Sequence, residues 1–338
     1  MNLKVHALGA DLMRGKKIVI TGGAGFLGSN LAEAFSKDND VVVIDNLSTG
    51  RFENIRSLVK ARRIKFVKGR VGDLKLMKRV CRGADYVLHY AAIPSVPLSV
   101  KDPITVNRSG VDATLTALAA ARDADVDKLV YASSSAVYGD TKSLPIKEDA
   151  PLRALSPYAV TKIAGEHYCR VFHELYGLET ASLRYFNVYG PKQNPKSEYA
   201  AVVPRFISNA LSGHKLTIYG DGKQTRDFLY VKDAVLSNEL ATKPGVVGEF
   251  NISSGQSVTI SHLADIVLVL CRKHVGIVHS PARKGEILRS QADISKARKE
   301  LGFEPEYPLE KGLAETIRLS RSLDRGRSGR GSTTIKTR

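Results

Sequence analysis

Residues 16–28, K-K-I-V-I-T-G-G-A-G-F-L-G, constrain this chain more than any other stretch. A short β-branched run leads straight into glycines at 22, 25 and 28, in the spacing G-x-x-G-x-x-G. Leu27, Leu31, Ala34 and Phe35 then recur at helical spacing. A strand that turns through glycine into a helix brings backbone N–H groups, and the positive end of the helix dipole, up to a pyrophosphate. A glycine triplet alone is compatible with a purely structural turn. Its place between strand and helix supplies the context a dinucleotide loop requires.

The runs DVVVID (40–45), IKFVKG (64–69), DYVLHYAA (85–92) and DKLVYAS (127–133) repeat the strand pattern with little polar interruption. Strands apolar on both faces are covered by helices on both sides, so the sheet is expected to be parallel. The Ala-rich stretch 111–122, with Leu115, Leu118 and Ala119 at helical spacing, reads as one covering helix. Strand–helix alternation from the start of the chain predicts an α/β fold, a Rossmann-type doubly wound parallel sheet. After about residue 187, Gly, Pro and polar turns become more frequent. The expected division is an N-terminal extension (1–15), a dinucleotide-binding domain (16–186, with sheet elements also from about 229–250) and a smaller interleaved substrate lobe (187–228 and 250–320). The lobe holds strand-like KLTIY (215–219) and helix-like HLADIVLVL (262–270). A flexible basic tail is expected over 321–338.

Composition narrows the function class. With 43% hydrophobic and 25% charged residues, the chain can bury a core. No apolar run approaches the roughly 18 residues of a membrane span. The N-terminus lacks a signal-peptide core, so a cytoplasmic address and no membrane partner are expected. Cys81, Cys169 and Cys271 form no CxxC, which argues against a disulfide framework or a metal site. The formal charge is +17, from 51 Lys+Arg against 34 Asp+Glu, part of it in the tail RSLDRGRSGRGSTTIKTR. Such a tail can attract nucleic acid nonspecifically. The chain has no RNP pattern, zinc-finger spacing or basic zipper, so no specific nucleic-acid partner is expected. The charge suits a diphosphate-bearing substrate and a dinucleotide equally well, or a solvated surface.

Asp45 ends the second strand, 20 residues after Gly25. An acid there accepts hydrogen bonds from ribose hydroxyls and repels a 2′-phosphate, which favours NAD over NADP. Asp73, in VGDL, suits either the adenine edge or a helix cap. Further along, Y-A-S-S-S-A-V-Y-G-D (131–140) precedes S-P-Y-A-V-T-K (156–162), where Ser156 fits an N-cap and Pro157 the first helical position. Tyr158 and Lys162, four apart, share one helix face. A free tyrosine titrates at about 10, and a neighbouring ammonium together with a positive nicotinamide ring would draw it down. Y-x-x-x-K alone is compatible with a core tyrosine and a surface lysine. In order with the serine run and the glycine loop it reads as an acid–base pair.

With DNLSTG (45–50), HYAAIPSVP (89–97), LRYFNVYGP (183–191), RDF (226–228) and RKGEILRSQADISKA (283–297), these motifs resemble the extended short-chain dehydrogenase/reductases over about residues 16–318. Within that family the sequence is similar to the UDP-hexose 4-epimerases, nearest the subgroup acting on UDP-N-acetylglucosamine. The resemblance implies NAD as cofactor and a catalytic set of Ser134 (four before Tyr138), Tyr158 as general base and Lys162 as its partner. It places Gly22, Gly25, Phe26, Leu27 and Gly28 at the pyrophosphate, and Asp45, Asn46, Ser48, Thr49 and Gly50 around the adenosine ribose. Asp73 and Leu74 fall at adenine, and Tyr90, Ala91, Ala92, Asn107 and Phe186 along the rest of the cofactor cleft. Ser134, Ser135, Tyr158, Asn187, Ala201, Val202, Thr217, Ile218, Tyr219, Arg226, Arg283, Glu286 and Ser290 match substrate positions. Arginine suits a diphosphate because its planar fork binds phosphate oxygens bidentately.

The activity implied is NAD-dependent 4-epimerisation of a UDP-hexose (UDP-glucose/UDP-galactose and UDP-N-acetylglucosamine/UDP-N-acetylgalactosamine) through a 4-keto sugar, by a homodimer formed through a helix bundle. Small residues at Ser290, Ala200 and Ala201 are expected to leave room for an N-acetyl group. The related UDP-glucuronate decarboxylases and sugar 4,6-dehydratases resemble one another in an acid two before the V-Y-G tyrosine. Here that position is Ala136, preceded by Ser135. An NAD-binding regulator or nucleic-acid binder on the same fold would have no need of an intact Ser134/Tyr158/Lys162 set.

Overall fold

The computed structural model describes residues 13–195, 200–282 and 287–328, the side chains of 322–328 apart. In chain order its strands are β1 (Lys17–Thr21), β2 (Asp40–Asp45), β3 (Ile64–Lys68), β4 (Tyr86–His89), β5 (Lys128–Ser134), β6 (Glu179–Tyr185), β7 (Asn187–Tyr189), β8 (Leu216–Tyr219), β9 (Thr225–Tyr230), β10 (Gly248–Ile252), β11 (Ser257–Thr259) and β12 (Ile277–Ser280). The longer helices are α1 (Phe26–Phe35), α2 (Leu74–Cys81), α3 (Ala113–Asp123), α4 (Pro157–Tyr176), α5 (Val202–Leu211), α6 (Val231–Ala241), α7 (Ile260–Cys271) and α8 (Leu309–Ser328).

Seven strands form one sheet in the order β10-β6-β5-β4-β1-β2-β3, every neighbouring pair parallel. The Val/Ile runs explain it. Ile18, Ile20, Val41 and Val43 pack into a core on one face with Leu31 and Phe35 of α1, while Val19, Val42 and Ile44 pack on the other with Ala117, Leu118 and Ala121 of α3. This is the doubly wound α/β fold expected. The winding reverses between β1 and β4, and a crevice opens at their carboxyl ends, where such sheets take their ligands.

The second lobe has its own core, from Phe206 and Ile207 of α5, Leu263, Ala264 and Val267 of α7, and Leu313 and Ile317 of α8. A three-stranded sheet, β11-β9-β7, and the parallel pair β12-β8 lie with it. Of the stretch 229–250 expected to rejoin the main sheet, only β10 does so. β9 belongs to the small sheet and residues 231–241 are helix. The tail expected from 321 begins inside α8, which runs to Ser328, and Arg321 Nη2 donates to the carbonyl of Cys271 at 2.8 Å. Residues 329–338 lie outside the described residues, as do 1–12. Met13 is already buried, its Sδ accepting from Thr242 Oγ1 at 3.0 Å. Among the described residues no helix is long and apolar enough to cross a membrane, and no cluster of His, Cys, Asp and Glu could hold a metal ion.

Candidate active site

A cleft of about 1050 Å³ runs from the carboxyl ends of β1 and β2, past β5, to the second lobe. At its nucleotide end the loop 22–28 folds tightly on itself. Gly22 has φ +67°, and a Cβ there would stand 2.7 Å from Ala91 N. A Cβ on Gly28 would stand 2.4 Å from the carbonyl oxygen of Gly22. α1 starts at Phe26, with Gly25 before it supplying no side-chain cap, and Gly25, Phe26, Leu27 and Gly28 line the cleft beside its first turn. The Asp45 carboxylate latches this loop to the end of β2, accepting from Ala24 N at 3.0 Å and Leu47 N at 2.7 Å. Asn46, Ser48 and Thr49 stand with it in the wall. An uncapped helix start, a glycine cradle and a carboxylate 20 residues on form a donor and acceptor set that fits the pyrophosphate and ribose of a dinucleotide.

In the middle of the cleft stand Ser134, Tyr158 and Lys162. Ser134 ends β5, its Oγ accepting from Ala136 N at 3.2 Å. Tyr158 lies in the first turn of α4, where Ser156 Oγ accepts from Ala159 N at 3.2 Å and Pro157 opens the helix, as the motif predicts. Lys162, one turn on, is 5% exposed. Its ammonium donates to the Ala132 carbonyl at 2.7 Å, lies 4.9 Å from the centroid of the Tyr131 ring and 5.7 Å from that of Tyr158. Burial pushes the Tyr158 hydroxyl up to about 12, with a hydrogen bond to Ser134 pulling the other way. Burial pulls Lys162 down to about 8, opposed by the Glu166 carboxylate. Without a bound cofactor, desolvation outweighs that hydrogen bond to Ser134; the Lys162 ammonium and the positive ring of a bound cofactor would both draw the Tyr158 hydroxyl down.

Tyr90, Ala91, Ala92 and Phe186 continue the wall, followed by Asn187, Ala201, Val202, Thr217, Ile218, Tyr219 and Arg226. Asn187 Nδ2 donates to the Asp227 carbonyl at 3.0 Å, which ties β7 to β9.

Several expected positions fall elsewhere. Asp73 caps α2, its carboxylate accepting from Leu76 N at 3.0 Å, and neither it nor Leu74 lines the cleft; Gly69, Arg70, Val71 and Gly72 do. Asn107 faces a separate shallow groove with Ile104 and Val160, because its helix turns Thr105, Arg108 and Ser109 toward the cleft instead. Ser135 lies beyond the wall in the turn Ser135–Tyr138. Gly50 backs the site, since a Cβ on it would press on the Asp45 carboxylate at 2.7 Å. Ser290 is buried on a segment that runs beside β9, where Thr225 N donates to the Leu288 carbonyl, and it does not reach the wall. Arg283 and Glu286 lie outside the described residues.

Sequence reasoning missed Tyr185, whose hydroxyl meets that of Tyr90 at 2.7 Å on the cleft floor, and Arg205, whose guanidinium lies 5.4 Å from the Tyr219 ring centroid. Tyr185 sits inside the L-R-Y-F motif and was open to notice; Arg205 carries no motif signal.

The sequence pattern of the NAD dependent epimerase/dehydratase family matches residues 18–252. A UDP-N-acetylglucosamine 4-epimerase from Methanobrevibacter ruminantium, solved with UDP-N-acetylmuramic acid, is 39% identical with a TM-score of 0.89, over 92% of this chain and 99% of that one. The UDP-glucose 4-epimerase of Mycolicibacterium smegmatis is 36% identical over 90% of this chain and 99% of its own. A Thermus thermophilus UDP-glucose 4-epimerase solved with NAD is 34% identical with a TM-score of 0.82, over 90% and 99% of the two chains. By sequence and by fold, this chain belongs to the NAD-dependent epimerase/dehydratase family.

Proposed function

We infer that the chain is a UDP-sugar 4-epimerase. The observation that carries the reading is the meeting of Ser134, Tyr158 and Lys162 midway along a cleft, with a dinucleotide cradle at one end and Arg226 and Tyr219 at the other. Gly22, Gly25, Phe26, Leu27, Gly28 and Asp45 would hold NAD, which when bound takes a hydride from the sugar C4 and gives it back. Tyr158 accepts the proton of the sugar O4 and later returns it. Ser134 hydrogen-bonds the same oxygen, and Lys162 holds positive charge beside the phenolate. Arg226 and the strand β8 grip the uridine diphosphate, which leaves the hexose free to turn about its link and offer its other face. On this reading the sheet with its flanking helices is the cofactor domain and the lobe around β8 and β9 the substrate domain.

The decarboxylase and dehydratase readings lack their acid, since Ala136 stands where it would be. The deciding experiment is to incubate purified protein with UDP-glucose, UDP-N-acetylglucosamine and UDP-glucuronate separately and identify each product. Epimers of the first two are expected; loss of carbon dioxide or water from any of them would replace this reading.

Acceptance of the acetamido sugar is tied to small wall residues, and Ala201 meets that condition where Ser290 does not. Ala201→Leu is expected to lower turnover of UDP-N-acetylglucosamine roughly 10–100-fold more than that of UDP-glucose, because overfilling a packed site costs about 1–3 kcal/mol. Equal losses on both sugars would remove Ala201 as the gate.

The Asp45 carboxylate should reject a 2′-phosphate. NAD is expected to co-purify, and titration of stripped protein should show NAD bound well ahead of NADP; the reverse order would overturn the role given to Asp45.

We further infer a homodimer. Ile104, Leu155 and Val160 are all more than half exposed and line one shallow groove between residues 103–107 and the start of α4, an apolar surface of the kind that marks an interface. Sedimentation equilibrium should give twice the chain mass, and Val160→Glu a monomer. A wild-type monomer at micromolar concentration would refute it.

A further inference from the structure

Behind the candidate catalytic residues lies a buried ion pair. Glu166 stands on α4 one turn beyond Lys162 and two beyond Tyr158, so the three share a helix face. Its carboxylate accepts from Arg184 through two nitrogens, Nε to Oε1 at 2.9 Å and Nη2 to Oε2 at 2.8 Å, and from the Ser133 hydroxyl. Ser133 precedes Ser134 on β5 and pairs in register with Arg184 on β6. Arg184 is in turn held from outside. Its Nη1 donates to the Tyr138 hydroxyl and to the Glu148 carbonyl, each at 2.8 Å, and Tyr138 donates to Asn251 on β10 at 2.7 Å. Glu166 and Arg184 are 2% and 4% exposed.

Stability alone does not call for such a pair, since well-packed apolar residues of similar volume commonly serve as well or better. Position suggests what else it does. Around Lys162 stand Tyr158, Glu166 and Cys169 from α4, Tyr131 from β5 and His89 from β4, with Arg184 of β6 reached through Glu166. His89 is wholly buried, held between Thr21 and Thr114, and burial keeps it neutral, pulled down to about 3. Glu166 is therefore the carboxylate that offsets the cost of burying the Lys162 ammonium. Through Ser133 the same carboxylate also holds the strand end that carries Ser134.

We propose that the Glu166–Arg184 pair is a positioning unit for the reaction: it holds the Ser133–Ser134 end of β5 in place and supplies the counter-charge that keeps Lys162 an ammonium. The proposal rests on the epimerase reading for its consequence in turnover, but not for its effect on Lys162.

The test is therefore read in two ways. Full-length protein labelled with ε-¹³C-lysine is titrated by NMR, the Lys162 signal being assigned by its absence in Lys162→Met. In Glu166→Gln the Lys162 titration is expected to fall by about one unit or more, the effect of losing a nearby opposite charge. On the alkaline limb of the pH profile kcat should drop about tenfold for each unit of that shift, with the KM for UDP-sugar and the bound NAD content unchanged. Glu166→Asp, which keeps the charge on a shorter arm, should leave the Lys162 titration near wild type while kcat remains reduced. Should Glu166→Gln fail to fold, the apolar double variant Glu166→Leu/Arg184→Met replaces the pair outright and should show a smaller fall of the Lys162 titration in the same direction, because the Arg184 charge leaves with the carboxylate. A folded Glu166→Gln or double variant in which Lys162 titrates as in wild type and the pH profile stays put overturns the proposal. A wild-type protein that turns over no UDP-sugar would defeat the epimerase reading while the lysine titration still decides this one.

Discussion

Tyr158→Phe is expected to lower kcat on UDP-glucose by on the order of 10²–10⁴-fold, the usual loss when a positioned acid–base group is removed. At about 1.4 kcal/mol per tenfold, that is roughly 3–5 kcal/mol of barrier. NAD content and UDP affinity should stay close to wild type, for a geometric reason. The ring sits in the first turn of α4, fixed by Ser156 and Pro157, and phenylalanine keeps that packing while removing only the hydroxyl. Ser134 loses one partner and keeps its bond from Ala136 N. Lys162 keeps its bond to the Ala132 carbonyl and its place over the Tyr131 ring, so the ammonium stays where it is. The measurements are steady-state turnover, absorbance of the co-purified cofactor and calorimetric titration with UDP. Activity within tenfold of wild type would mean that another group moves the proton. Loss of NAD along with activity would mean that the tyrosine shapes the cofactor cleft rather than the chemistry.

The parts of this site that were legible in the sequence are those in which a local backbone event forces residue type. The turn from β1 into α1 admits only glycine at 22 and 28, the start of α4 takes serine then proline, and a tyrosine and lysine four apart must share a face. The buried strands were legible for a similar reason, since residues covered on both faces have to be apolar throughout. What failed was register within helices and the reach of loops. Asn107 is polar and close to the cleft in sequence, yet one helix face decides which neighbours see the ligand, and Thr105, Arg108 and Ser109 occupy that face. Asp73 suited two roles by composition, and only the distance to Leu76 N assigns it to the helix cap. The Glu166–Arg184 pair joins residues 18 apart through strand register, which no local pattern announces.

The second large effect is expected at Gly28. A single methyl group there would sit 2.4 Å from the Gly22 carbonyl oxygen and 2.7 Å from the Gly23 Cα, both backbone atoms with no rotamer to yield. Relief requires the loop 22–28 to move as a unit. It is held on one side by Gly22 N donating to the Ile44 carbonyl at 2.8 Å and on the other by Ala24 N on the Asp45 carboxylate. Gly22 cannot give way by itself, since at φ +67° it is already in a region that side chains avoid and its own missing Cβ lets Ala91 N approach. Gly28→Ala is therefore expected to destabilise the fold by about 1–3 kcal/mol or more, as overpacking against unyielding atoms does. It should also strip NAD from the purified protein, because the helix start and the glycine turn can no longer close on one diphosphate together. Gly25→Ala is the internal control. A Cβ there meets only the Gly22 carbonyl, at 3.1 Å, and the backbone is extended, so a smaller loss in stability is expected. Chemical denaturation with matched m-values, and cofactor absorbance after gel filtration, read the two effects separately. If Gly28→Ala retains both wild-type stability and bound NAD, the loop is softer than its hydrogen bonds imply, and tight backbone closure is not what holds the cofactor.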